Sequence, residues 1–201
     1  MKKPIRIGVA GAGVFGGHHS AKVAAHEHAA LAGVHDVDAA RMHALASRFN
    51  TPAYSSYADF LHNLDAVIVA APAVAHFDLA RAALAAGKHV FVEKPIALNT
   101  NDADTLIALA RAHGSVLQVG HQERYVAAAA GLLSINKSPI RIDCVRRTVA
   151  SGRCEDVSVA LDLMVHDLDL IRKLTNAEIE DMAANGDAHQ AKAELALTNG
   201  A

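Results

Sequence analysis

Apolar residues along this chain fall into short unbroken blocks. Between the blocks lie longer stretches in which apolar residues recur three or four positions apart. The blocks are "PIRIGVA" (residues 4–10), "LAGVHD" (31–36), "DAVIVAA" (65–71), "HVFVE" (89–93) and "SVLQVG" (115–120). Short, rich in Val and Ile and closed by Gly, Asp or Glu, they predict β-strands. The stretches 15–29, 37–49, 75–87 and 99–114 have helical spacing. The last two end on Gly87 and Gly114, in the position just past a helix end that favours glycine, and the last opens on Asn/Thr/Asp cap candidates. Strands alternating with helices predict right-handed crossovers and a parallel sheet, and strands apolar throughout predict a sheet covered on both faces. After about residue 120 the rhythm changes. Residues 122–134 read as helix, 140–150 as a strand with alternating faces, 156–174 as a long apolar helix, and 177–201 as two strands around the turn "NGD". The pattern thus predicts an α/β domain over 1–120 and a small α+β domain over 121–201.

With 201 residues, of which 52% are hydrophobic and 20% charged, the chain can bury a large core. The formal net charge of -2 and the lack of a basic stripe argue against a nucleic-acid partner. No apolar run approaches the ~18 residues of a membrane span, so no membrane partner is expected. The opening "MKKPIRIGVAGAGVFGG" mimics a secretory leader, but its five glycines make a poor hydrophobic segment. Cys144 and Cys154 form neither a metal-site spacing nor a disulfide framework, which predicts a reduced, cytoplasmic protein. The thirteen histidines are scattered; His18-His19 and His26/His28 read as surface helix positions, and no metal site is predicted.

The first predicted strand runs into Gly11-x-Gly13-x-x-Gly16, and a predicted helix follows. Strand, glycine loop and helix in a first βαβ unit are the setting in which this spacing is specific for a dinucleotide. Gly11 permits the tight turn, Gly13 lets backbone approach a pyrophosphate, and Gly16 lets helix and strand pack closely. The pyrophosphate charge meets the N–H groups at the helix start, around Val14 and Phe15. Asp36 closes the second strand twenty residues after Gly16. A carboxylate there hydrogen-bonds a ribose hydroxyl pair and repels a 2′-phosphate, which predicts NAD rather than NADP. Asp38 reads as a helix cap. The fold class expected is a Rossmann doubly wound parallel sheet followed by a small, shortened α+β domain.

The block 89–93 ends on Glu93-Lys94-Pro95, a carboxylate, an ammonium and a proline. An edge strand ends this way without any function. In a doubly wound sheet, however, ligands bind beyond the carboxyl ends of the strands. Glu93 and Lys94 sit at such an end. So does "AAPAVAH" (70–76), with Ala71, Pro72 and His76, after the preceding strand.

"GAGVFG", the acidic end of the second strand, "AAPAVAH", "GKHVFVEKP" and "QVGHQERY" follow one another in an order that resembles the glucose–fructose oxidoreductase / inositol dehydrogenase (Gfo/Idh/MocA) family. The resemblance covers nearly the whole chain. It implies that Lys94 contacts the substrate hydroxyl being oxidised, that Pro95 has a structural role at a Lys-Pro bond that is often cis in the family, and that Arg124 and Tyr125 are largely structural. His121 and Gln122 would lie near the nicotinamide end, although a plain strand end followed by a helix start fits them equally well. The family's aspartate and histidine four apart appear here as Asp162 and His166 in "ALDLMVHDLDLI". Spacing i,i+4 puts both on one helical face. The apolar residues around them leave little room for a solvated face, and histidine is the natural base for a hydroxyl proton. Asp167 and Asp169 read as solvent or interface groups.

These readings predict an NAD-dependent oxidoreductase acting on a secondary alcohol of a sugar, polyol or nucleotide sugar. His166 takes the hydroxyl proton, Lys94 hydrogen-bonds the same oxygen, and Asp162 binds a neighbouring hydroxyl or orients the other two. The cofactor contacts expected are Gly11, Gly13, Val14, Phe15, Gly16, Asp36, Ala71, Pro72, His76, Glu93, Lys94 and Gln122. Family members are substantially longer, so a non-catalytic NAD-binding sensor or regulator, or a truncated inactive form, is the competing reading. A second sheet of about three strands leaves an edge open, which predicts a homo-oligomer, a dimer or tetramer joined through the second domain.

Overall fold

The computed structural model describes residues 3–134, 139–147 and 157–199. They form two compact units, one spanning residues 1–120 and the other 121–201.

The first unit is built on five parallel strands, β1 (Ile5–Ala10), β2 (Ala29–His35), β3 (Ala66–Val69), β4 (His89–Glu93) and β5 (Leu117–Gly120), in the order β2-β1-β3-β4-β5. Ala53 adds a one-residue parallel bridge to Val34 outside β2. The chain reverses its direction of travel across the sheet between β1 and β3, and crevices open at such switch points beyond the carboxyl ends of the strands. The helices are α1 (Val14–Ala24), α2 (Ala39–Arg48), α3 (Tyr57–His62), α4 (His76–Ala85) and α5 (Thr100–Ala112). The short α3 has no counterpart in the sequence-based expectation.

Alternate strand residues feed two apolar layers, which is why the strands read as continuous apolar runs. Val67, Val69, Val90 and Val92 pack with Phe60, Leu64, Leu84 and Leu106, all almost fully buried. Val9 and Ile68 pack the other way, against Val23, with Phe91 beside them. β4 lies between β3 and β5, so Glu93-Lys94-Pro95 ends an interior strand and not an edge strand.

The second unit holds α6 (Glu123–Ala129), a π-helical turn (Ala160–Met164) running into α7 (Val165–Thr175), and the antiparallel hairpin β6 (Ile179–Gly186) and β7 (Ala191–Leu197). The hairpin fulfils the expectation of two strands around the turn "NGD" within 177–201. The expected strand over 140–150 is corrected: residues 139–147 carry no strand, and 148–150 lie outside the described residues. Face alternation alone makes no strand; a ladder partner is needed. The single long helix expected over 156–174 is also corrected: residue 156 lies outside the described residues, 157 and 158 are not helical, and the turn Ala160–Met164 is wound as a π-helix. A cavity of about 720 Å³ opens between residues 141–146, Leu163, Leu168, Ile171 and β7; neither Asp162 nor His166 lines it.

Candidate functional site

Three helices of the first unit are closed by a side chain at their start. Asp38 accepts from the Arg41 N–H (3.0 Å), Ser56 from Asp59 (3.3 Å) and Asn99 from Asp102 (2.9 Å). Helix α1 differs: Gly13 occupies its cap position, no side chain caps it and its first turn carries no acid. The first N–H groups of a helix have no acceptor within it, so α1 offers an open, positively polarised end. Gly11 sits at φ +105°, and a Cβ there would come within 2.5 Å of the Ala70 backbone. A Cβ on Gly16 would run into the Gly11 carbonyl, so the turn closes only without one. Beside Gly13 nothing lies within 4 Å, and Val14 and Phe15 are exposed. The loop is tight on its inner side and open on its outer side, the shape that a dinucleotide pyrophosphate requires.

Asp36 braces this loop. Its carboxylate accepts from the Ala12 N–H at 2.6 Å and from the Asp38 N–H at 2.8 Å. A carboxylate has about four lone-pair positions, so two remain for a ribose hydroxyl pair. Arg41 reaches within 3.7 Å of the same carboxylate while staying largely exposed. The sequence reading did not single out Arg41; its place one turn after the acidic strand end was the available signal.

At the carboxyl ends of β3 and β4 the structure brings together Ala71, Pro72, His76, Glu93, Lys94 and Pro95. The Lys94–Pro95 peptide bond is cis. Lys94 is half-buried and Pro95 is buried. The His76 ring lies beneath this surface, 1% exposed, with Nδ1 at 2.7 Å from the Pro95 carbonyl and Nε2 at 2.9 Å from the Ala71 carbonyl. The Glu93 carboxylate lies 2.7 Å from His19 Nε2 on α1, and the His19 ring meets Phe91 edge-on at 5.3 Å. His19 had been read only as a helix-surface position. Glu93 and His76 are thus engaged within the protein, and His76 can act on a ligand only through the backbone it holds.

The second unit carries Asp162, His166, His121 and Gln122. Asp162 lies in the π-helical turn and is half-buried; His166, at the start of α7, is 6% exposed. Gln122 is the exposed residue preceding α6. Asp167 and Asp169, read as solvent or interface groups, are each paired with an arginine of the same unit. Asp169 accepts two hydrogen bonds from Arg124, at 2.8 and 2.5 Å, with His121 Nε2 at 3.7 Å. Burial by itself would raise the Asp169 pKa; the Arg124 hydrogen bonds and the charges of His121, Arg124 and His166 outweigh it and hold the carboxyl below its ordinary value. Asp167 accepts from Arg146 at 2.9 Å. Charged groups on an apolar helix need partners, and both found an arginine. Arg124 thereby ties α6 to α7, in keeping with a structural role.

Among the described residues no cluster of three His, Cys, Asp or Glu side chains could hold a metal ion, and no helix is long and apolar enough to cross a membrane.

Residues 5–121 match the profile of the family described as "Oxidoreductase family, NAD-binding Rossmann fold" (GFO_IDH_MocA). The chain is 37% identical to the UDP-N-acetylglucosamine 3-dehydrogenase of Acidithiobacillus ferrooxidans, over 98% of its own length and 64% of that protein's. A solved structure of that dehydrogenase superposes with a TM-score of 0.85, covering 99% of this chain and 68% of the other at 36% identity. The inositol 2-dehydrogenase of Acidothermus cellulolyticus is 31% identical over 95% of this chain and 59% of its own length. The structure of GenD2 from gentamicin A biosynthesis in complex with NAD superposes with a TM-score of 0.78 at 26% identity, covering 100% of this chain and 64% of that one. The chain therefore spans 64% and 59% of the length of these two curated relatives.

Proposed function

We propose, from the premise that this chain belongs to the Gfo/Idh/MocA family of NAD-binding oxidoreductases, that it carries the nucleotide half and the catalytic groups of an NAD-dependent dehydrogenase for a secondary alcohol of a sugar, polyol or nucleotide sugar. The observation that carries this reading is the open start of α1 beside a carboxylate-braced glycine loop, with Lys94 at the end of an interior strand of the same sheet. The family profile and relatives that oxidise nucleotide sugars and inositol support it.

Gly11, Gly13, Val14, Phe15 and Gly16 would hold the pyrophosphate, and Asp36 the adenosine ribose, which favours NAD over NADP. When bound, NAD supplies the hydride acceptor. The work left to the protein is the hydroxyl proton and the charge that its loss creates. His166 takes that proton, because a neutral imidazole nitrogen is a base suited to neutral pH. Lys94 donates a hydrogen bond to the same oxygen and stabilises the developing alkoxide. Asp162 binds a neighbouring hydroxyl or orients the other two groups. Oligomerisation through the second unit and a cytoplasmic location belong to the same reading.

The nucleotide site by itself fits a second reading, a non-catalytic NAD-binding regulator on the same scaffold. An NAD titration run beside a turnover assay on UDP-N-acetylglucosamine, myo-inositol and related sugars decides: binding with turnover supports the dehydrogenase, and binding without turnover supports the regulator.

A further inference from the structure

Lys94 sits between two residues that are each held by a histidine from a different helix. On one side, Glu93 is fixed by His19 of α1 at 2.7 Å. Both side chains are largely buried, with 22% of His19 and 17% of Glu93 exposed. β5 leaves room for this carboxylate, since a Cβ on Gly120 would come within 2.9 Å of Glu93 Oε2. On the other side, the Pro95 carbonyl lies 2.7 Å from Nδ1 of the buried His76 at the start of α4. The other nitrogen of that ring lies 2.9 Å from the Ala71 carbonyl, so the ring sits between the turns that follow β3 and β4, a neutral ring donating to one carbonyl and an imidazolium to both. A single polar side chain near a lysine would be ordinary packing. Two histidines, from α1 and from α4, that fasten the residues immediately before and after it define the path of the backbone at one position.

We propose that His19 and His76 are positioning residues which together set the backbone of the Lys94 turn, His19 through the Glu93 carboxylate and His76 through the Pro95 carbonyl. Because His19 lies on the helix whose first turn forms the pyrophosphate cradle, it also joins that cradle to the lysine. The proposal rests on the reading of Lys94 as the group that meets the substrate hydroxyl, and it adds what holds that group. A fixed lysine stabilises alkoxide charge without reorganising, which is the condition for such a donor to be effective.

The test uses the full chain and two independent variants. His19→Ala removes a partly exposed ring, and His76→Asn leaves an amide in place of the fully buried one. Amide hydrogen exchange in peptides covering residues 93–98 should accelerate about tenfold or more in each, while peptides covering β1 stay as in the parent. His19→Gln, which keeps a donor, should restore at least half of the protection lost in His19→Ala. The Kd for NAD should stay within about threefold of the parent, and with UDP-N-acetylglucosamine as the sugar, kcat should fall more than KM. Unchanged exchange at 93–98 in both variants overturns the proposal. So does a loss of NAD affinity with unchanged exchange, because the histidines would then be cofactor ligands. Lys94→Ala separates the two claims: full turnover in that variant overturns the reading of Lys94, while the exchange data still decide whether the histidines hold the turn.

Discussion

The two units of this chain are held together by different means. Among the described residues, twenty-one of the twenty-four buried hydrophobic side chains lie in residues 1–120; the second unit contributes Ala127, Ala177 and Leu197. In the first unit every strand has a parallel neighbour and apolar layers on both faces. In the second, all of β6 is exposed, Arg124 with Asp169 joins α6 to α7, and Arg146 with Asp167 ties the segment 139–147 to α7. A sheet packed on both faces can hold a loop such as 11–16 in one shape. A hairpin with an exposed strand and a few arginine–carboxylate ties specifies less, and its helix can adopt a widened π turn at Asp162. The difference teaches that the unit proposed to hold the cofactor is the densely packed one, while Asp162 and His166 sit on a unit with few buried apolar side chains.

The largest effect that would sharpen this contrast is catalytic. Lys94→Ala and His166→Ala should each lower kcat about 10²–10⁴-fold, the range for a lost acid–base or charge-stabilising group, with the Kd for NAD within about threefold. Steady-state kinetics beside an NAD titration checks it. If His166→Ala instead abolishes NAD binding, the division of labour between the units fails.

Stability comes next. Phe60→Ala should cost about 3–5 kcal/mol, because Phe60 is fully buried among Leu64, Val67 and Leu84, whereas Met182→Ala on exposed β6 should change stability by no more than about 0.5 kcal/mol. Urea unfolding of both variants measures the gap. Equal losses would mean that β6 is covered in solution, as expected if a second copy docks there.

Asp36→Ser should shift the NAD-to-NADP affinity ratio by about tenfold toward NADP, since it removes the carboxylate and leaves Arg41 in place for a 2′-phosphate. Fluorescence titration with NADH and NADPH reads the ratio, and an unchanged ratio removes Asp36 from cofactor choice.

The smallest effect concerns the ties of the second unit. Asp169→Asn should cost about 1 kcal/mol at neutral pH, because Arg124 is half-exposed and solvent screens the pair. The Asp169 carboxyl is held below its ordinary value in the folded protein. Its contribution is therefore fully present above the unfolded carboxyl pKa and is lost as pH falls through the lower folded one. The difference between parent and variant in urea midpoint should accordingly shrink on acidification. A difference constant with pH would mean that the carboxylate charge is not what Arg124 holds.

Much of this was legible in the sequence wherever a signal is local. The five strand blocks, the glycine loop, Asp36 and the Glu93-Lys94-Pro95 terminus are patterns within a few residues, and the sheet follows from their alternation. What was not legible depends on partners far along the chain. His19 meets Glu93 across 74 positions, so nothing near His19 marks it as more than a helix residue. Asp167 and Asp169 look solvated until Arg146 and Arg124 are placed beside them. The π turn at 160–164 leaves the apolar pattern of a helix unchanged. The alternation over 140–150 describes two faces without naming a neighbouring strand, and residues 139–147 carry none.

The proposed binding of NAD by the first unit and the proposed oxidation of a sugar hydroxyl through Lys94 share one readout. The most direct measurement is NADH formation by the full chain, with UDP-N-acetylglucosamine and myo-inositol as substrates, for the parent protein and Lys94→Ala under saturating NAD. A steady absorbance rise is expected in the parent on at least one of the two sugars, with a rate lower by about 10²-fold or more in Lys94→Ala. Saturable NAD binding with no NADH formed on either sugar, or equal rates in parent and variant, would contradict it.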